Sequence, residues 1–160
     1  MQNQAMVDHS AIKTGQLLSI AMLIAAFVLN RWELVGILAV FFLITALINP
    51  LGPFVLLYRL FLKPIGAVKP DMRIDNIQPH LFGQAVGAIC AAIAAFALYE
   101  GYVYAGWILV FVLIVLTAVS FKGWCIGCFL YYQLNRMGLR GFFAHKPTDK
   151  GVTLGARPRK

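Results

Sequence analysis

Two cysteines three residues apart, Cys125 and Cys128 in the run Gly123-Trp-Cys-Ile-Gly-Cys-Phe-Leu-Tyr131, are the residues of this 160-residue chain best suited to chemistry. If a helix runs through them, both thiols lie on one face with Cβ atoms about 5–6 Å apart. Thiolate attack and disulfide closure both need that proximity. A nearby cation or a helix N-terminus lowers a thiol pKa and raises the thiolate fraction. Lys122 lies three residues before Cys125, and Gly123 can break the preceding helix so that a new one starts at the pair. That arrangement predicts Cys125 as the more reactive thiol, Cys128 as its resolving partner and Lys122 as a cation favouring the thiolate. The bland alternative is that two small residues fill space in a membrane helix.

The other candidates are weaker. A structural zinc needs four ligands, and the sequence adds only His80 and His145 at a distance, without the spacing of a zinc module. The expectation is therefore no metal. Cys90 falls midway along an apolar run and reads as packing. His9 and His80 fall near the ends of apolar runs, where a solvated imidazole is the usual state. No Walker loop, Gly-x-Ser-x-Gly or His-Glu-x-x-His pattern occurs, so no cofactor is expected.

The pair must be positioned by membrane helices. The hydrophobic fraction is 61% and the charged fraction 12%, against about a quarter charged in a soluble domain; the mean hydropathy is +0.78. Four apolar runs stand out, roughly 12–29, 34–48, 81–99 and 102–121. Each approaches the ~20 residues that a ~30 Å hydrocarbon core requires, the second being short. All Lys and Arg residues except Arg31 lie at the start of the first run (Lys13), between the second and third, or after the fourth. The positive-inside rule then puts both termini, and the cysteine pair, on the cytoplasmic side. The net charge of +8 reads as topology and lipid attraction rather than nucleic-acid binding, because no folded basic surface is available to track phosphates.

The chain therefore reads as an all-α membrane protein with four transmembrane helices plus a short interfacial helix. Its parts are a cytoplasmic N-terminal segment 1–11, a transmembrane domain 12–139 with a cytoplasmic loop 50–80, and a basic cytoplasmic tail 140–160, expected to be disordered from Lys146 onwards. The first apolar run reads as a retained signal anchor, since a cleavage site does not follow it. Pro50, Gly52 and Pro53 should end the second helix, leaving Phe54–Lys63 to lie in the interface with Arg59 and Lys63 towards headgroups. In the third run Gly83, Gly87, Ala91 and Ala95 recur every four residues, a stripe that lets another backbone approach closely. The bulkier fourth run is the expected partner of that stripe. Ionisable residues are missing from the middle of all four runs, which argues against a proton-coupled transporter.

Four stretches carry a resemblance: Val7-Asp-His-Ser-Ala-Ile12, Gly52-Pro-Phe-Val-Leu-Leu-Tyr-Arg59, Pro79-His-Leu-Phe-Gly-Gln84 and Gly123–Tyr131. In their order the chain resembles, over about residues 7–135, a family of bacterial integral membrane proteins catalogued as domain of unknown function 4395. The resemblance implies a four-helix inner-membrane protein and supplies no activity. It also implies proximity to thioredoxin-like and rhodanese-like proteins, whose genes accompany the family. The leading expectation is thiol–disulfide exchange or sulfur handling with such a soluble partner. The rival is a non-catalytic structural subunit of a larger membrane complex.

Overall fold

The computed structural model describes residues 5–48, 52–66, 71–75 and 77–136. The basic tail, His145 and Pro50 lie outside them. Six helices account for most of the described chain: α1 (His9–Val28), α2 (Trp32–Leu47), α3 (Pro53–Leu57), α4 (Gln78–Tyr99), α5 (Val103–Phe121) and α6 (Ile126–Arg136). Helices α1, α4 and α5 are long and apolar enough to cross a membrane, whereas α2, with 16 residues, is shorter.

These helices are apolar on all sides, which marks an element surrounded by lipid and protein rather than by water. Size, not polarity, decides what faces inward. The core is rich in small residues, including Ala26, Ala39, Ala88, Ala91, Ala94 and Ala95, packed around Leu23, Leu38 and Val110. Phe27, Phe96, Ile108 and Phe111 are exposed on the outside. Without a hydrophobic drive between membrane helices, close packing of small residues holds them together. Hydroxyls inside the bundle are satisfied locally: Ser19, Thr45 and Thr117 each donate to the carbonyl four residues earlier, at 2.7–2.8 Å.

Tight turns join α1 to α2 and α4 to α5. Asn30 adopts a left-handed conformation (φ 51°) in the first, and Gly101 (φ 88°) in the second. At this end of the bundle Trp32 packs edge-on against Tyr99, and Phe27 against Trp107. Arg31 and Glu33 form an exposed ion pair at 3.6 Å, worth little in solvent.

The expected break after α2 is present. Pro53 occupies the first turn of α3, where its missing N–H costs nothing. α3 runs on into a π-helical turn, Tyr58–Leu62. The segment expected to lie in the interface is thus helical, and Tyr58 is its buried anchor.

Two findings depart from the sequence reading. First, the segments preceding α1 and α4 are not simple tail and loop. β1 (Ala5–Asp8) and β2 (Met72–Asp75) form an antiparallel ribbon in which Asp8 faces Met72 and Ala5 faces Asp75. The His9 N–H extends the ladder to the Asp71 carbonyl at 2.9 Å. Asp8 closes the corner: its carboxylate accepts from the Ser10 N–H (3.0 Å), the Asp71 N–H (3.2 Å) and the Tyr58 hydroxyl (2.9 Å). Burial, and then the hydrogen bond to Asp8, raise the Tyr58 pKa and keep the phenol protonated. Second, Gly83, Gly87 and Ala95 of the small-residue stripe of α4 meet α6 and α2 in place of α5, the expected partner. A Cβ built on Gly87 would sit 3.2 Å from the Phe42 ring of α2, and Ala95 meets Gly36 of α2. Gly83 meets Gly127 of α6. The packing of α4 on α5 uses other residues, with Leu98 seated over Gly106.

Candidate thiol site

The site is built where α5 ends. Helix α5 stops at Phe121, and Gly123 turns the chain with φ 110°, a backbone state open to glycine at little cost. α6 begins at Ile126, so Cys125 is its N-cap. The Cys125 carbonyl accepts the first helical bond, from the Phe129 N–H at 3.0 Å. Its sulfur accepts the Cys128 N–H at 3.2 Å. The thiol thus takes the place usually filled by a Ser or Asp oxygen, and it stands at the positive end of the helix dipole. The expected break at Gly123 and the new helix at the pair are both present.

His80 enters from α4. Pro79 is in the first turn of that helix, and His80 follows with Nδ1 3.7 Å from the Cys128 sulfur. The close approach of α4 and α6 that makes this contact rests on Gly83 and Gly127. A Cβ on Gly127 would lie 2.6 Å from the Gly83 Cα, so the two backbones touch with no room for a side chain. The His9 ring, 1% exposed, packs edge-on to His80 with centroids 6.0 Å apart. The expectation that both imidazoles are simply solvated at a boundary is corrected here. His9 is buried, and His80 is half-buried against a thiol.

These neighbours set the protonation of Cys125. Hydrogen bonding from Cys128 is the largest influence and lowers the Cys125 pKa; burial opposes it, and His80 adds to the lowering, with the result held at about 4. The Cys125 thiol is therefore ionised at neutral pH. Lys122 is exposed at the C-cap of α5 and is not among the groups responsible. Cys125 is partly exposed and Cys128 is 5% exposed, so the ionised sulfur is also the more reachable one.

The ligand atoms of His80, Cys125 and Cys128 lie within 4.8 Å of one another. That geometry supplies three donors to a thiophilic ion, one short of a closed zinc site. Among the described residues a fourth His, Cys, Asp or Glu does not join them. His80, seemingly remote at 45 residues from Cys125, is the functional neighbour that spacing alone misses. Its one sequence signal is Pro79, which starts a helix on the same side as the pair.

Cys125 and His80 also line a cavity of about 200 Å³ between α1, α2, α3, α4, α5 and α6. Cys90 is on its wall; it is free and partly exposed, like Cys125. The arrangement can therefore support a thiolate nucleophile, a resolving thiol and a base, beside a largely apolar space.

Curated proteins and solved structures provide no match to this chain. A family model does: the one described as domain of unknown function (DUF4395) matches residues 7–136, and the chain belongs to that family.

Proposed function

We propose that this is a multi-pass membrane protein of the bacterial inner membrane whose Cys125 and Cys128 cycle between dithiol and disulfide. The soluble partner is thioredoxin-like or rhodanese-like and approaches from the cytoplasm. The observation that carries the reading is the Cys125 sulfur at a helix N-cap, bonded to the Cys128 N–H and beside His80. The Lys and Arg distribution supports the cytoplasmic placement of that end. In a four-span topology α2 is the fourth span, at about 24 Å of helix, with Trp32 at one border.

The exchange balances without a cofactor. The Cys125 thiolate attacks one sulfur of a partner disulfide, forming the mixed disulfide and releasing the partner's other sulfur as thiolate. Cys128 then loses its proton towards His80 Nδ1 and attacks the Cys125 sulfur. The new Cys125–Cys128 bond expels the partner as a dithiol once it takes up two protons. Oxidation of the partner by the disulfide form runs the same steps backwards.

The rival reading, a structural subunit of a larger membrane complex, draws on the small-residue stripe as a surface for another protein. Gly83, Gly87 and Ala95 are instead engaged by α6 and α2 within the same chain. That removes one support for the rival.

In a Cys90→Ala background, Cys128→Ser should trap a mixed disulfide at Cys125 on inside-out vesicles, and Cys125→Ser should trap little. A membrane-impermeant maleimide should label Cys125 in those vesicles and not in intact cells. Failure of both thiols to react in the folded protein would refute the exchange, and labelling from outside the cell would reverse the orientation.

A further inference from the structure

The cavity that begins at Cys125 extends between helices that are apolar enough to span a membrane. Its walls include Phe42, Phe54, Leu81, Val86 and Leu113. At about 200 Å³ it is far larger than the ~10–15 Å³ needed by one water. Gln16 of α1 lines the cavity, and its Oε1, closed off from water, has no hydrogen-bond partner, so the amide meets a ligand there by turning towards the cavity. The neighbouring hydroxyls of Ser19, Thr45 and Thr117 give their protons to their own helices. A buried acceptor left unpaired destabilises the empty site, so a ligand that satisfies it gains correspondingly. The amide suits one redox couple in particular. Its oxygen accepts from a hydroxyl, and its NH2, presented by a flip of the same group, donates to a carbonyl.

Resting on the dithiol reading above, we propose that this cavity binds a lipid-soluble quinone, with Gln16 holding the ring oxygen, and that the reduced pair delivers its electrons there. The chemistry balances. The Cys125–Cys128 bond forms, Cys128 gives up its proton, and two electrons pass to the quinone. Its two carbonyl oxygens take up that proton and one from solvent and become hydroxyls. His80, against Cys128, is placed to take the proton from that thiol as the disulfide closes. The cavity thus gives the pair two kinds of partner: a soluble protein from the aqueous side and a diffusible oxidant from the bilayer.

The test uses the full chain in lipid nanodiscs with a fully ring-substituted benzoquinone carrying a decyl tail. Reduced protein should lose two thiols for each quinol formed. Gln16→Leu should raise the half-saturating quinone concentration about tenfold, equivalent to ~1.4 kcal/mol, with little change in maximal rate. A binding readout that needs no redox step comes from Cys90. The Cys125→Ser/Cys128→Ser protein retains it as the last of the three cysteines, and the quinone should slow its alkylation by a lipid-soluble maleimide. If a soluble aromatic disulfide oxidises the pair and the quinone does not, the cavity inference is overturned while thiol exchange stands. If neither oxidises it, thiol exchange fails and the quinone proposal falls with it. An unprotected Cys90 together with an unchanged response of Gln16→Leu would also overturn the cavity as the binding site.

Discussion

The contact of Gly127 with Gly83 can be tested from both sides, and the two sides should behave differently. Alanine at 127 would place its Cβ 2.6 Å from the Gly83 Cα and 3.4 Å from the Gly83 nitrogen. Carbon atoms in contact prefer about 3.5–4.0 Å, so the helices must separate by roughly 1 Å. The obstacle is backbone and cannot rotate away. Overpacking of this kind costs about 1–3 kcal/mol, against which alanine returns up to ~1 kcal/mol in helix propensity. Alanine at 83 instead places its Cβ 3.6 Å from the Gly127 Cα and 3.9 Å from the Cys125 sulfur, both ordinary contacts. Gly83→Ala should therefore be neutral or stabilising by up to ~1 kcal/mol. Thermal unfolding in one detergent should show Gly127→Ala melting several degrees below Gly83→Ala, using about 2–4 °C per kcal/mol for a chain of this size. The displacement should also register in the chemistry, since moving α6 carries both thiols away from His80. Cys125 alkylation at pH 6 should slow in Gly127→Ala more than in Gly83→Ala. Equal melting temperatures and equal alkylation rates in the two variants would show that α4 and α6 do not cross at this pair.

Two further outcomes follow from the same geometry. With the Cys125 pKa held at about 4, its alkylation rate should stay flat from pH 8 down to about pH 5 and fall only as pH passes through 4; Cys128→Ala and His80→Ala should each move that fall towards higher pH, and a wild-type midpoint near that of a free thiol would refute the assignment. The same depressed pKa means that the unfolded chain binds the extra proton between the two pKa values, so the thiol's contribution is full above the free-thiol range and is lost as pH falls through 4. Tyr58→Phe removes the hydroxyl bonded to Asp8 and should cost about 1–3 kcal/mol, measurable as a lower melting temperature; no change would mean that the latch between the ribbon and the π-helical turn is not holding the fold.

The helices were legible because hydrophobic length is a strong signal in a chain that must cross lipid. The run 102–121 became Val103–Phe121, and 12–29 became His9–Val28. Gly123 was readable as a break because it follows twenty apolar residues and precedes the cysteines. The ribbon was not, because strands of four residues are too short for a period to emerge. Its partners are also separated by more than sixty residues, and pairing across such a distance leaves no local trace. The α4 stripe announced that some backbone comes close without saying which. Glycine spacing encodes a smooth surface, and the choice of α2 and α6 over α5 is made by Phe42, Gly36 and Gly127 on the opposing helices. The cysteines were found at once by type and spacing. Their setting was not, since Cys125 owes its acidity mainly to Cys128 and His80 rather than to the nearer charge of Lys122.

The ribbon has a bearing on biogenesis. It joins the segment ahead of α1 to the segment ahead of α4, so it cannot form until the ribosome has passed Asp75. Chains are made from the N-terminus and assemble as they emerge. The early helices therefore wait for α4 before His9 and His80 are brought together. The cysteines emerge last, on a helix whose glycine has a seat already shaped by Gly83. Reactivity is consequently the final property the nascent protein acquires. A chain interrupted before Cys125 retains every residue of the ribbon and of the three long helices, yet carries neither thiol of the pair.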